Sequence, residues 1–210
     1  MVAALFAGMV AGCFFLVDRQ AAVWARGLDP LVVAIFWKIT VLGSATPYLI
    51  GLALLYPALR FSLRREAAAQ RALFVLVAIV VSGLTADLLK PLVARWRPVA
   101  LFSEPAQYGF ALFKSGEMNY SFPSGHATTA CAVACALTLL FPGLRALWIV
   151  VAALVAASRI VIGAHFPGDV LAGVWLGVVI TLALSRTPWF REVLEKPGGW
   201  AGERSQGTRP

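Results

Sequence analysis

Long apolar runs separated by short polar segments make up most of the chain. The runs cover about residues 2–17, 31–59, 72–89, 125–141, 144–162 and 170–184. Several of them approach the roughly 20 residues that an α-helix needs to cross a bilayer. The pattern predicts an all-α fold, a six-transmembrane helix bundle. The polar and aromatic stretch 18–30 between the first two runs is typical of an interfacial segment.

Basic residues between the runs predict the orientation of the bundle. The segment 60–71, "RFSLRREAAAQR", carries four arginines and is the strongest cytoplasmic signal in the chain. With six spans, this segment and both termini lie on the cytoplasmic side. The loop 91–122 and the turn 163–169 then share the opposite side. We expect one membrane domain over residues 1–190, followed by a cytoplasmic, disordered tail over 191–210.

Composition agrees with a membrane protein. The 210 residues are 60% hydrophobic and only 13% charged, whereas soluble domains carry about 25% charged residues. The net charge of +8 falls in short clusters between the apolar runs and in the tail, so we expect no nucleic-acid partner. The cysteines have neither metal-ligand nor disulfide spacing. "VAGC", 10–13, looks like a lipoprotein cleavage box, but no basic segment precedes it, so lipidation of Cys13 is disfavoured.

A first polar cluster follows the third apolar run in "KPLVARWRP", 90–98. Lys90 closes the run and Arg97 lies in the loop after it. Basic residues often anchor helix ends, but positive charge on the non-cytoplasmic side runs against the orientation rule and favours an anionic partner. Asp87, one helical turn before Lys90, either pairs with that lysine or only balances the charge.

A second cluster, "PSGH" at 123–126, opens the fourth run. Ser124 is a favoured N-cap residue, and the amide of Gly125 would point out of the helix N-terminus, where anions bind. His126 is either a proton donor at this site or an ordinary polar residue at the membrane interface.

A third cluster, "SRIVIGAHFPGD" at 158–169, ends the fifth run. A charge such as that of Arg159 costs about 2.5 kcal/mol or more in lipid, and an anionic partner would offset that cost. Asp169 is close enough to His165 to accept a hydrogen bond from one ring nitrogen, which would leave the other as a nucleophile or base. The alternative is a loop histidine beside a helix-capping aspartate.

The three clusters converge on one membrane face and together suit a phosphate group. They combine both histidines of the chain with three basic side chains beside a helix N-terminus. No Cys, His or Asp cluster has metal-ligand spacing, so we expect no metal and no cofactor, and the cations would come from the protein.

These segments resemble, with no departure at any signature position, the tripartite signature of the type-2 phosphatidic acid phosphatase superfamily. The resemblance implies that His165 attacks phosphorus and forms a phosphohistidine, that Asp169 orients His165, and that His126 protonates the leaving oxygen. It also implies a set of groups that hold the phosphoryl oxygens: Lys90, Arg97, Ser124, the Gly125 amide and Arg159.

The resemblance implies metal-independent hydrolysis of a membrane lipid phosphate or pyrophosphate, of the isoprenyl pyrophosphate, phosphatidate or phosphatidylglycerophosphate class. A lipid A phosphate is the alternative substrate. A vanadate-dependent haloperoxidase and a non-catalytic lipid-binding protein are the competing functions. The loop 99–122, with Lys114, is either part of a headgroup gate or an ordinary interfacial loop. The expected partners are a phosphorylated lipid and the bilayer, in a bacterial inner membrane with the site facing the periplasm or the outside.

Overall fold

The computed structural model describes residues 2–113 and 116–195, which form nine α-helices and no β-strand. The helices are α1 (Val2–Gly12), α2 (Asp18–Arg26), α3 (Pro30–Thr40), α4 (Ala45–Pro57), α5 (Glu66–Val93), α6 (Gly125–Leu140), α7 (Arg145–Val161), α8 (Pro167–Ser185) and α9 (Pro188–Glu195). A π-helical turn, Cys13–Val17, joins α1 to α2, and a second, Ala58–Ser62, extends α4. The predicted all-α fold is confirmed.

Five helical segments among the described residues are long and apolar enough to cross a bilayer. They are Ala4–Arg26, Pro30–Ser62, Glu66–Val93, Pro142–Val161 and Pro167–Ser185. The fourth predicted span, 125–141, corresponds to α6, which is apolar but has only 16 residues. At 1.5 Å per residue, α6 spans about 24 Å. It packs against α5, α7 and α8 within the bundle.

Two glycines of α8 allow that helix to pack closely against α6. A methyl group at Gly173 would overlap the carbonyl oxygen of Ser124, and one at Gly177 would overlap that of Thr128. Small residues at such a crossing let two helix backbones approach each other within a membrane. This packing holds the N-terminal end of α6 beside the first turns of α8.

The first helical segment is longer than the run 2–17 predicted. It continues through α2 to Arg26 because its first polar residue, Asp18, is fully buried and paired with Arg95 instead of ending the helix. Between α3 and α4 the chain bends at Val41–Gly43 and Ser44. A methyl group at Gly43 would lie 3.0 Å from the Cβ atom of His126, so this bend packs directly against the N-terminal turn of α6.

The C-terminal helix α9 packs against the start of α5. Its Phe190 ring lies 5.1 Å from that of Phe74, centroid to centroid. Residues 191–195 of the expected tail belong to this helix, so the predicted boundary at 190 falls within α9. Residues 196–210, and Lys114 in the loop 99–122, lie outside the described residues.

Candidate active site

His165 lies in the short turn between α7 and α8 and is almost fully buried. Its Nδ1 atom is 2.8 Å from the carbonyl oxygen of Ser121. Because a carbonyl only accepts hydrogen bonds, Nδ1 carries the proton and Nε2 keeps its lone pair. Burial lowers the pKa of His165 below its ordinary value, and Asp169 only partly opposes that shift. The ring is therefore neutral at neutral pH, as a nucleophile must be.

The structure corrects the expected contact between Asp169 and His165. The Oδ2 atom of Asp169 lies 3.8 Å from Nδ1 of His165, which is too long for a hydrogen bond. This oxygen instead accepts hydrogen bonds from the Ser121 hydroxyl at 2.5 Å and the Phe166 amide at 2.9 Å. The Phe166 contact also caps α8, because Asp169 is the third residue of that helix. Ser121 thus stands between the carboxylate and the imidazole.

A buried arginine that the motif analysis passed over completes this arrangement. Arg95 donates to the other oxygen of Asp169 at 2.6 Å and to the carboxylate of Asp18 at 2.5 Å. Arg95 lies inside the first motif segment, but neither its spacing nor its neighbours distinguish it from a helix-end anchor. Ser121 carries no local signal at all. Asp18 has one weak signal, an acidic residue at the end of an apolar run.

The second motif segment lies where the sequence predicts, at the start of α6. Ser124 occupies the N-cap position, and its amide donates to the carbonyl oxygen of Asp169 at 3.0 Å. Its side chain makes no cap hydrogen bond, and its buried hydroxyl has no hydrogen-bond partner among the described residues. The Ser124 hydroxyl is therefore available to a ligand oxygen, and it does not cap α6 in this conformation.

Three cations surround the same helix end. A Cβ atom placed on Gly125 would lie 3.5 Å from Nζ of Lys90, so the ammonium group sits beside the Gly125 backbone. Lys90 also contacts Asp87 at 2.6 Å, which confirms that the two residues pair. Arg97 donates to the carbonyl oxygens of Glu117 at 2.9 Å and Ala164 at 3.2 Å. These carbonyls position the guanidinium without neutralising it.

Arg159 is the most isolated of the three cations. It is 7% exposed and donates from Nη1 to the hydroxyl of Thr40 at 2.6 Å. Among the described residues, no ion pair includes Arg159, and its buried Nε has no hydrogen-bond acceptor. Thr40 was not predicted, because it lies in another apolar run and nothing nearby in sequence marks it.

The predicted residues meet at one place. His126, at the first turn of α6, lies within the electrostatic influence of Arg159, His165, Lys90 and Arg97. The site therefore offers a neutral imidazole, a second imidazole and three fixed cations around a helix N-terminus. Backbone amides and cations in that arrangement bind and stabilise a phosphoryl group. Asp169 lies behind this site and supports it through Ser121.

The chain is similar in sequence to known phosphatases. The chain is 36% identical over 126 residues to a lipid A 1-phosphatase from Rhizobium johnstonii, covering 58% of this chain and 50% of that protein. It is 34% identical over 104 residues to an undecaprenyl-diphosphatase from Sulfolobus acidocaldarius, covering 48% of this chain and 47% of that protein. The chain thus spans about half the length of the curated relatives it matches.

A solved structure extends the likeness to the fold. The crystal structure of a transmembrane PAP2-type phosphatidylglycerolphosphate phosphatase from Bacillus subtilis matches with a TM-score of 0.64 and 23% identity, over 86% of this chain and 90% of the other. A family model described as the PAP2 superfamily matches residues 71–192, which contain all three motif segments. This confirms the resemblance drawn from the motifs: the chain is an integral membrane protein of the PAP2 superfamily.

Proposed function

We propose that the protein is a lipid phosphatase that hydrolyses a membrane lipid phosphate or pyrophosphate through a phosphohistidine on His165. The observation that carries the proposal is the state of His165. Its Nδ1 proton is hydrogen-bonded to the Ser121 carbonyl, which leaves the Nε2 lone pair free to attack. Of the three nearby cations, only Lys90 has a carboxylate partner among the described residues, Asp87. The names of the relatives, a lipid A 1-phosphatase and an undecaprenyl-diphosphatase, support the reaction class.

The proposed reaction has two displacements at phosphorus. Nε2 of His165 attacks, the bond between phosphorus and the leaving oxygen breaks, and His126, which takes up a proton when the anionic substrate binds between the cations, gives that proton to the leaving oxygen. A water molecule then attacks the phosphohistidine while His126 takes up its proton, which releases phosphate and restores Nε2. Proton transfer of this kind contributes about 10²–10⁴-fold. Lys90, Arg97 and Arg159 would stabilise the charge that develops on the phosphoryl oxygens.

The first test measures phosphate release from purified protein in lipid nanodiscs. Variant His165→Ala is expected to lose turnover while remaining folded in the membrane, and His126→Asn to slow it by about 10²-fold or more. Denaturing gels of protein stopped during turnover should show an acid-labile phosphoryl group on the wild type and none on His165→Ala. A His165→Ala variant that retains turnover would contradict the proposal.

The proposed reaction needs no metal, because the protein supplies the cations. Turnover is therefore expected to persist after treatment with EDTA. A strict requirement for added magnesium would refute this part of the mechanism, and halide oxidation in the presence of vanadate would favour the haloperoxidase chemistry instead.

The substrate class can be narrowed by direct competition among lipids. A lipid A 1-phosphate is one candidate, because the Rhizobium johnstonii relative carries that activity in its name, and an isoprenyl pyrophosphate is the other, because the Sulfolobus acidocaldarius relative is an undecaprenyl-diphosphatase. Side-by-side kcat/KM values on these lipids, phosphatidate and phosphatidylglycerophosphate would rank them. Phosphate release equal to a heat-inactivated control on every lipid would favour a non-catalytic lipid-binding role.

The proposed location is a bacterial inner membrane, with the site facing the periplasm or the outside. The four arginines of the segment 60–71 support this orientation. An exposed cysteine introduced as Glu104→Cys should react with an impermeant maleimide in intact spheroplasts. Arg64→Cys, also at an exposed position, should react only after lysis. The reverse result would invert the topology.

A further inference from the structure

A buried ion-pair network connects the first helical segment to the turn that carries the nucleophile. Arg95 is 1% exposed and lies between two fully buried carboxylates, Asp18 and Asp169. Its guanidinium carbon is 4.6 Å from the ring centroid of Phe166 and 5.1 Å from that of Phe14. Rings on this guanidinium exclude water from it, which strengthens both ion pairs.

Asp18 makes a second contact with the same turn. Its Oδ1 atom accepts a hydrogen bond from the amide of Gly168 at 2.9 Å, while Oδ2 binds Arg95. Asp18 follows directly after the π-helical turn Cys13–Val17. Such a turn shifts the register of the side chains that follow it, and Asp18 lies on the buried side of the helix. Charged residues in membrane helices are costly and are commonly functional.

We propose that Asp18 and Arg95 are positioning residues for the nucleophile, acting on His165 through Asp169 and Ser121. The connection runs through hydrogen bonds of 2.6 Å from Arg95 to Asp169, 2.5 Å from Ser121 Oγ to Asp169, and 2.8 Å between Nδ1 of His165 and the Ser121 carbonyl. The inference rests on the proposed function, because it assigns His165 as the attacking group.

The charge of the network gives it a second effect on the reaction. Two carboxylates around one guanidinium carry a formal net charge of −1. When Nε2 bonds to phosphorus while Nδ1 keeps its proton, the imidazole ring becomes positive. A net negative group behind the ring stabilises that state, as the buried aspartate of a catalytic triad does. If Asp18 is neutralised, Arg95 cancels the charge of Asp169, and this stabilisation falls.

Other charged groups also act on His165. Asp169, Arg97 and Arg159 lie close enough to His165 to act on it electrostatically, and so does His126 at the start of α6. None of them changes when Asp18 is replaced, so a change in the pH profile of an Asp18 variant reports on the network alone.

The decisive variant is Asp18→Asn, which keeps an oxygen for the Gly168 amide and removes the charge. We expect kcat to fall about tenfold or more and KM to stay within about threefold of the wild-type value. The acid limb of kcat/KM should move to lower pH, because the neutral network disfavours protonation of His165. The matched control is Asp29→Asn. Asp29 is an exposed N-cap residue that accepts from the Leu31 amide at 2.7 Å, and asparagine caps equally well, so its kinetics should match the wild type.

A purely structural role for Asp18 predicts a different result. It would tether the first helical segment, lower thermal stability and the amount of folded enzyme, and leave the kcat of the folded fraction and the acid limb unchanged. Either kcat within twofold of the wild type, or a lower kcat with an unmoved acid limb, would overturn the positioning role.

A second pair of variants keeps the test decisive if single variants fold poorly. Arg95→Gln leaves two buried carboxylates without a cation, which is strongly unfavourable. Adding Asp18→Asn removes one of them. We therefore expect the double variant to have a higher thermal midpoint than Arg95→Gln alone and, because it again carries a net charge of −1, a higher kcat than Asp18→Asn alone. Additive losses would overturn the proposed coupling.

Phosphate release by the wild type distinguishes failure of the proposed function from failure of the positioning role. If it fails to release phosphate from the whole lipid panel, the proposed function is wrong and the positioning role falls with it. If it is active and Asp18→Asn is equally active, only the positioning role is wrong.

Discussion

Replacement of Arg159 by methionine tests whether this buried cation serves substrate binding while it lowers the stability of the protein without substrate. Arg159 is 7% exposed in α7, and its described hydrogen bond goes to the hydroxyl of Thr40. Methionine replaces the aliphatic part of the arginine side chain and carries no charge. The substitution should therefore separate the stability of the protein from its activity.

The effect on stability is the balance of two opposing contributions. A charge at the centre of a membrane helix costs about 2.5–3.5 kcal/mol, which is an upper limit for Arg159 in the last turn of α7. One hydrogen bond to a charged group contributes about 1.5–3 kcal/mol. The variant is thus expected to be close to the wild type in stability, and at most about 2 kcal/mol more stable. In a domain of this size, 1 kcal/mol corresponds to roughly 2–4 °C, so Tm should stay the same or rise by several degrees.

The effect on activity has the opposite sign. Loss of a charge-assisted contact to the phosphoryl group costs about 1.5–3 kcal/mol, which lowers kcat/KM by about 10- to 150-fold. Arg159→Lys is the matched variant, since it keeps the charge and loses the two-pronged geometry, and its kcat/KM should lie between those of Arg159→Met and the wild type.

Thermal unfolding with and without vanadate, a phosphate analogue, completes the assay. A ligand that binds only the folded state raises Tm as its concentration exceeds Kd. Vanadate should raise Tm of the wild type and have little effect on Arg159→Met. The reasoning is refuted if Arg159→Met lowers Tm by more than about 5 °C without vanadate, or if its kcat/KM equals that of the wild type.

Three further predictions concern the support of the nucleophile. Because burial lowers the pKa of His165 and only the neutral ring attacks, the acid limb of kcat/KM should lie below about pH 6.5; a limb above that value would contradict a neutral nucleophile. Ser121→Ala keeps the carbonyl contact to Nδ1 and loses the hydroxyl contact to Asp169. We expect kcat to fall about fivefold, which corresponds to roughly 1 kcal/mol, and an unchanged kcat would show that the hydroxyl plays no part in the reaction. Gly173→Ala would place a methyl group against the carbonyl of Ser124 and should lower the stability to thermal unfolding by about 1–3 kcal/mol. In the control Gly83→Ala the methyl group meets open space, so its stability should not fall. Equal changes in Tm would refute the close packing of α8 against α6.

Much of the architecture was predictable because it depends on local patterns. Apolar runs of near-spanning length predict helices wherever they occur, and the described helices follow those runs, with α2 and α9 as additions. The candidate site residues were predictable to the same extent. Lys90, Arg97, Ser124, His126, Arg159, His165 and Asp169 lie in three short segments with recognisable spacing, at positions where loops enter or leave helices.

Tertiary structure alone decided how these residues are held. The contact of Arg159 with Thr40 spans 119 residues of sequence, that of Arg95 with Asp18 spans 77, and that of Ser121 with Asp169 spans 48. A polar side chain buried in a membrane bundle must find a partner, but nothing in its neighbourhood along the chain says which one. The choice depends on which helices pack together. The sequence by itself therefore determined most of the spans and the candidate catalytic groups. Tertiary packing decided that Arg95 joins Asp18 to Asp169 and that Ser121 lies between Asp169 and His165.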